Sequence, residues 1–227
     1  IEDFISLKFL SCDDNLISSL NISNCNALES LNCMNNQLTS LDVSNNSFLN
    51  YLVCGNNQLT SLDVSNNFSL KTLSCFNNQL ISLDVSNNLF LETFICSQNF
   101  LTCLDISYNT LLERINCSNN LLEKLNTKNG NWQNMSVSAT INNLNCAEVD
   151  NIGLASNSWD FDSFTTLSTN CNYATTCITS SSINEKITNK KLIKVKNLFG
   201  KTTNVYTSKI LFYIFDDGTV EKRIAIE

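Results

Sequence analysis

The sequence predicts a mainly β solenoid: a curved parallel sheet with few or no long helices, closed by a C-terminal cap and followed by a small antiparallel β tail. Two observations predict it. A 21-residue pattern recurs about six times between residues 7 and 126. Within each unit, apolar and polar residues alternate with the period of two that a half-buried strand requires. A unit this short cannot bury its apolar side alone, so successive units must stack.

The first half of each unit reads LxxLxCxxNxL. Its asparagine falls where the chain must turn, and a side-chain amide there can pair with backbone groups that would otherwise be buried unpaired. We expect the stacked thiols to pack as small apolar groups, because zinc needs four converging ligands rather than a line. The cysteine register contains Cys12, Cys33, Cys54, Cys75, Cys96 and Cys117.

The second half of each unit reads LDVSNN and predicts another extended run on the opposite side of the coil, which leaves no room for long helices. At these two half-units the chain resembles the bacterial leucine-rich repeat family with 21-residue, cysteine-containing, internalin-J-like repeats. The resemblance implies a leucine-rich repeat domain over residues 1–126, and we expect its N-terminal end to be truncated.

After Lys124 the Leu and Cys registers are lost, so we expect the stack to end and residues 127–173 to form a cap that covers its apolar end. This segment also resembles the C-terminal caps of the same family. The apolar residues available for the cap are Trp132, Val149, Ile152, Trp159, Phe161, Phe164 and Leu167.

Residues 174–189 are small and polar, as in a linker. The remaining residues, 190–227, contain strand-like runs around Asp217 and Gly218, which indicate a β-hairpin. This ending resembles the C-terminal sorting domain of the type IX secretion system, which implies recognition by that machinery and a secreted or outer-surface location in a Gram-negative bacterium. The residues that carry the resemblance are Gly200, Asp216, Asp217, Gly218 and Lys222.

An exported protein meets an oxidising compartment, where disulfides form. Cys146 and Cys171 bracket the cap, and we expect a disulfide between them, with Cys177 as the competing partner. Cys25 and Cys103 lie outside the cysteine register. We expect both to remain thiols.

Composition excludes several classes of function. The chain has no histidine and five glycines, so histidine-dependent triads, histidine metal sites and glycine-rich phosphate loops are not expected. Residues 1–185 carry 5 Lys/Arg against 17 Asp/Glu, a net charge of −12, which argues against nucleic acid. No apolar run approaches the roughly 20 residues of a membrane span. We expect a monomer without cofactor or catalytic activity.

An aspartate recurs once per unit at Asp42, Asp63, Asp84 and Asp105. Such a row could bind calcium, but we expect each carboxylate to accept backbone N–H groups at its own turn.

Repetition constrains the core, so specificity must reside in the strand positions that point outward. We expect them to form an apolar patch with a polar rim on the concave face and to bind a protein or a glycan. The alternatives are an inert spacer or the non-catalytic part of a larger secreted enzyme. The predicted binding residues are Phe9, Met34, Tyr51, Val53, Thr72, Phe76, Ile95 and Arg114.

Overall fold

The computed structural model describes residues 4–173, 177, 192–197, 210–215 and 220–224. The chain forms two compact units, one of residues 1–179 and one of residues 180–227.

The first unit contains a seven-stranded parallel sheet of three-residue strands, hereafter the first sheet. Its strands pair in register, with Leu31 opposite Leu52 and Leu52 opposite Leu73. Equivalent positions of successive coils therefore lie side by side, about 4.8 Å apart. In sheet order the strands are β1 Phe9–Ser11, β2 Ser30–Asn32, β3 Tyr51–Val53, β4 Thr72–Ser74, β5 Thr93–Ile95, β7 Arg114–Asn116 and β9 Ser136–Ser138.

The predicted second run also forms a parallel sheet, the second sheet, but only in the later coils. In the coils that begin at Leu28, Leu49 and Leu70, the LDV residues form no strand, although their Leu and Val side chains are buried. The strands of the second sheet are β6 Cys103–Asp105, β8 Lys124–Asn126, β10 Cys146–Glu148 and β11 Thr166–Ser168. The predicted mainly β parallel solenoid is thus confirmed.

Asparagine side chains hold adjacent coils together where the chain turns after each strand of the first sheet. The Asn57 Nδ2 atom donates to the carbonyls of Cys33, Cys54 and Gly55 at 3.0, 3.1 and 3.2 Å. Its Oδ1 accepts from the Leu38 N–H at 2.9 Å. The same set of contacts recurs at Asn36, Asn78, Asn99 and Asn120.

The residue before each ladder asparagine has a positive φ, between 49° and 57° from Asp14 to Asn119. Most side chains avoid this left-handed region, whereas Asp and Asn tolerate it, and they occupy five of these six positions, with Gln98 at the sixth. The sequence therefore has two polar residues in succession at this turn, one for the backbone conformation and one for the hydrogen bonds.

The core consists of the repeated Leu, Cys and Val side chains. Leu28, Leu31, Cys33 and Leu38 are fully buried, and their equivalents in the following coils are buried in the same way. In the first coil the corresponding side chains are only partly buried, because they lie at the edge of the described stack.

The stack continues through the segment that was expected to cap it. β9 pairs with β7, and β10 pairs with β8 and β11, all in parallel. A short helix, α1 Ile152–Ser158, follows β10, and the Asn151 side chain caps it by accepting from the Leu154 N–H at 3.0 Å. Residues 127–173 therefore extend the solenoid as degenerate coils.

Trp159 follows the helix and fills the end of the core, and its Nε1 donates to the Met135 carbonyl at 2.8 Å. Val149 is also buried, whereas Ile152 and Phe164, which were expected to help cover the end, are exposed. The other three expected residues pack against the core: Trp132, Phe161 and Leu167.

The second unit contains a three-stranded antiparallel sheet of β12 Leu192–Asn197, β13 Ile210–Phe215 and β14 Val220–Ile224, in that order. β13 and β14 flank the predicted hairpin turn, and Lys222 lies in β14. The remaining residues of the predicted sorting motif lie outside the described residues: Gly200, Asp216, Asp217 and Gly218.

Candidate functional site on the face of the first sheet

The outward side chains of the first sheet, together with the second residue after each strand, form a continuous surface that we term the sheet face. In each strand the middle residue points into the core and its two neighbours point outward, as alternation along a strand requires. In β3, Leu52 is fully buried and Tyr51 is 41% exposed.

The predicted binding residues lie on this sheet face, but they are not equally accessible. Phe9, at 68% exposed, Tyr51 and Arg114 are exposed. Val53 was also expected to present its side chain to a ligand. It occupies an outward position, as expected, but its side chain is only 8% exposed because it lies between its register partners Asn32 and Ser74. The half-buried members are Met34, Thr72, Phe76 and Ile95.

Phe76 is seated against Gly55 of the preceding coil. A Cβ atom on Gly55 would collide with Cδ1 and Cε1 of the Phe76 ring. Gly55 does not have a positive φ, unlike Gly130. This glycine is therefore required for the close approach of an aromatic ring and not for a special backbone conformation.

The central part of the sheet face carries no charge, although the first unit is acidic. Charges lie at its margin, where Lys8 pairs with Glu29 at 2.7 Å and Lys71 pairs with Glu92 at 3.0 Å, each across adjacent coils. The uncharged central residues are Ser30, Asn32, Met34, Tyr51, Val53, Gly55, Thr72, Ser74, Phe76, Thr93, Ile95 and Ser97.

Beneath the sheet face runs the cysteine ladder. Burial raises the pKa of Cys33, Cys75 and Cys117 from the ordinary value of 9.0 to about 12, and it also raises the pKa of Cys54 and Cys96. A thiol that stays protonated is a poor nucleophile and a poor metal ligand. These cysteines thus serve the core, and within the described residues no group of acidic or thiol side chains is arranged to hold a metal ion.

The aspartate row makes local hydrogen bonds. The carboxylates of Asp42, Asp63, Asp84 and Asp105 each accept from the N–H two residues later at 2.9 Å. At Asp42, hydrogen bonds from the Ser44 side chain and backbone lower the pKa of the carboxyl group. The turn-stabilising role expected of these residues accounts for their position.

Two disulfides lie beside the second sheet. One joins Cys146 to Cys171, the pairing that the sequence favoured. The other joins Cys103 to Cys177, 74 residues apart. The expectation that Cys103 remains a thiol is therefore wrong, because β6 brings it within a Cα–Cα distance of 5.4 Å of Cys177. Cys25 is buried and outside both disulfides.

Tyr173 occupies a gap in the second sheet between β8 and β10. Its hydroxyl donates to the Cys146 carbonyl at 2.5 Å and accepts from the Leu125 N–H at 3.2 Å. The Lys124 Nζ atom lies 6.0 Å from the centre of its ring. The hydroxyl thereby replaces a missing backbone contact between two strands.

A second exposed apolar surface, which we term the corner stripe, was not identified from the sequence. Its side chains are 47% to 64% exposed and occupy the two positions just before the opening Leu of four successive coils. The only signal was the variable pair of letters between LDVSNN and that Leu. The members are Phe48, Phe68, Leu89, Phe90 and Leu111.

Among the residues described, no helix has both the length and the apolar character to cross a bilayer.

No protein-family model matches the sequence, and no curated protein matches it. Solved structures do. The functional domain of InlJ from Listeria monocytogenes, which includes a cysteine ladder, is similar with a TM-score of 0.63 and 28% identity over 70% of this chain and 35% of that one. A leucine-rich repeat protein of Leptospira interrogans has a TM-score of 0.57 and 25% identity over 74% of this chain and 45% of that one.

The internalin InlF from Listeria monocytogenes has a TM-score of 0.58 and 20% identity over 73% of this chain and 57% of that one. The chain thus spans between about a third and three fifths of the length of these three structures. The shared fold is the leucine-rich repeat solenoid of about 21-residue turns, and its neighbours are internalin-like.

Proposed function

We propose that this chain is a non-catalytic binding or adhesion module that recognises a protein or a glycan through its sheet face. It acts as a monomer at a cell surface or after secretion. The fold supports a binding role, since neighbours of this fold include internalins of Listeria monocytogenes. The two alternatives, an inert spacer and the binding part of a larger enzyme, share the same scaffold.

One observation carries the proposal. The core residues repeat from coil to coil, whereas the sheet-face residues in the coils of β2 to β5 differ from coil to coil and include Tyr51 and Phe76. Exposed aromatic side chains within a polar rim are typical of the energetically dominant part of interfaces. A spacer has no need for a glycine that accommodates a half-buried aromatic ring on its surface.

The binding proposal is tested with the double variant Tyr51→Ala/Phe76→Ala. Wild-type protein, the double variant and a control, Phe48→Ala, are applied to a glycan array and to a display library of peptides. Phe48 is 64% exposed on the corner stripe and so matches the loss of an exposed ring elsewhere. We expect retained ligands to be lost only in the double variant. Equal retention by all three proteins would exclude the sheet face, and no retained ligand would favour the spacer.

We also propose that residues 190–227 direct export through the type IX secretion system of a Gram-negative bacterium. The antiparallel strands β12 to β14 and the excess of 9 Lys/Arg over 4 Asp/Glu in residues 186–227 support a module distinct from the acidic repeats. A chain without residues 190–227 is expected to accumulate in the periplasm of a host with this system. Its normal appearance outside the cell would contradict the proposal, and a host that lacks the secretion pore provides the control.

A further inference from the structure

We infer that the ligand of the sheet face is an uncharged glycan whose sugar rings lie along β3 between Tyr51 and Phe76. The inference rests on the proposed binding function and specifies its ligand class. A glycan chain presents C–H groups on the faces of its rings and hydroxyl groups at their edges. A matching protein surface needs an apolar line with hydrogen-bonding groups on both sides.

The coil that contains β3 provides the apolar line. It runs from the exposed Tyr51 ring over the nearly buried Val53 to Gly55, where the ring of Phe76 is seated. The four residue steps from Tyr51 to Gly55 span about 13 Å in extended chain, so the line accommodates more than one sugar ring. The aromatic rings of Tyr51 and Phe76 lie at its two ends, and the buried Val53 between them leaves a shallow depression.

The neighbouring strands provide the hydrogen-bonding groups. Ser30 and Asn32 of β2 lie on one side of the line, and Thr72 and Ser74 of β4 lie on the other, each directly in register with a residue of β3. Hydroxyl and amide groups both donate and accept, as sugar hydroxyls do. Sites built to bind hydroxyl groups discriminate strongly against ligands that lack them.

Phe76 is held in place before any ligand arrives. Because Gly55 leaves space for its ring, the ring rests against the backbone of the adjacent coil in place of extending freely into solvent. A ring that is already ordered loses less conformational entropy on binding. The ordered Phe76 ring is therefore suited to stack on the C–H face of a sugar ring, where each single contact is weak.

Charge separates the glycan from other ligand classes. The outward residues of β2 to β5 include no Lys, Arg, Asp or Glu. An anionic glycan would find no cation among these residues, and Lys71 at the margin is paired with Glu92. It would also be repelled by residues 1–185, which have a net charge of −12. Protein interfaces commonly employ arginine, which the centre of this face lacks.

The test uses the full chain and measures affinity for neutral glucans, mannans, xylans and galactans, for alginate and heparin, and for peptides selected from a display library. We expect a neutral glycan to bind, with an affinity that changes less than twofold as the salt concentration rises about tenfold, because no ion pair is involved. Tyr51→Ala and Phe76→Ala should each weaken binding at least about tenfold, as loss of one aromatic stacking partner does elsewhere.

Controls separate stacking from folding. Tyr51→Phe retains the ring and should bind within about threefold of wild type, and Phe48→Ala on the corner stripe should bind as wild type does. If only a selected peptide binds and depends on Tyr51 and Phe76, the proposed function stands and the glycan inference is overturned. Binding only to alginate or heparin also overturns it. Binding that survives both alanine substitutions, or no binding at all, overturns the inference and the proposed function together.

Discussion

The ring of Phe76 occupies the space that a Cβ atom on Gly55 would fill. The two residues belong to adjacent coils and are 21 positions apart in the sequence. A glycine at this position leaves one coil without a side chain and thereby makes room for the Phe76 side chain of the next coil. The sheet face is thus shaped by a pair of residues and not by independent substitutions in each coil.

Gly55→Ala is expected to destabilise the protein by about 1 to 3 kcal/mol, because the added methyl group forces the Phe76 ring out of its position. In a Phe76→Ala background the same substitution should cost almost nothing, since the space is then free. Urea unfolding of the four proteins measures the difference, which we expect to be a coupling of about 1 to 2 kcal/mol.

Gly153→Ala provides a matched control for this cycle. Gly153 is exposed in α1, and a Cβ atom there would approach no atom closer than 3.5 Å. Alanine is favoured over glycine in a helix, so this variant should be neutral or up to about 1 kcal/mol more stable. An equal cost of Gly55→Ala with and without the Phe76 ring would show that the clash does not account for the glycine.

The core was predictable because repetition makes each register visible. Leu31, Cys33, Asn36 and Leu38 recur with the same spacing, and the structure buries each of them. A residue that recurs with the 21-residue period lies beside its own equivalents in the adjacent coils, so the period shows which positions form the core. The stacking direction and the parallel register follow from this period alone.

Contacts that break the period were not predictable. Val53 sits at an outward position, but its burial depends on its neighbours in other coils. Cys103 replaces the serine that precedes LDV in earlier coils, and its partner Cys177 lies beyond the repeats. In the same way, the coils after Asn126 keep the strand pairing while losing the repeated letters, so the end of the solenoid was placed too early.

Asn78→Ala is expected to lower the free energy of unfolding by about 3 kcal/mol, the cost of leaving buried backbone groups unpaired. The Asn78 amide donates to the Cys54 carbonyl at 3.1 Å, and its Oδ1 accepts from the Leu59 N–H at 2.9 Å. Urea unfolding measures the loss. The control, Asn87→Ala, removes an exposed amide and should change stability by less than about 0.5 kcal/mol. Similar costs for both would contradict a structural ladder.

The Cys103–Cys177 disulfide predicts a thiol count. Of eleven cysteines, four are in disulfides, so seven thiols should react when the protein is denatured without reductant. A count of nine would mean that one disulfide is absent. Removing the bridge as Cys103→Ser/Cys177→Ser should destabilise the protein by about 4 kcal/mol, because the bridge closes a long loop in the unfolded chain.

The buried thiols predict a loss of stability in alkali. Below about pH 9 they are protonated in both the folded and the unfolded chain, so they contribute no pH dependence. Between pH 9 and about 12 the cysteine thiols of the unfolded chain lose their protons. Those of Cys33, Cys75 and Cys117 in the folded chain keep theirs, since burial raises their pKa to about 12. Each such thiol should lower the free energy of unfolding by about 1.4 kcal/mol per pH unit in this range.

Cys75→Ala isolates the effect, because lysine and tyrosine side chains titrate equally in both proteins. The variant loses core packing at every pH, and its free energy of unfolding is expected to be lower near pH 7 by about 1 to 2 kcal/mol, a small buried side chain being replaced by a smaller one. As the pH rises above 9, however, its stability should decline less steeply than that of the wild type, by the contribution of one thiol. Urea unfolding at several pH values between about 8 and 10 measures both slopes. Parallel slopes would show that Cys75 ionises in the folded protein as readily as in the unfolded chain, which is incompatible with a fully buried position in the ladder.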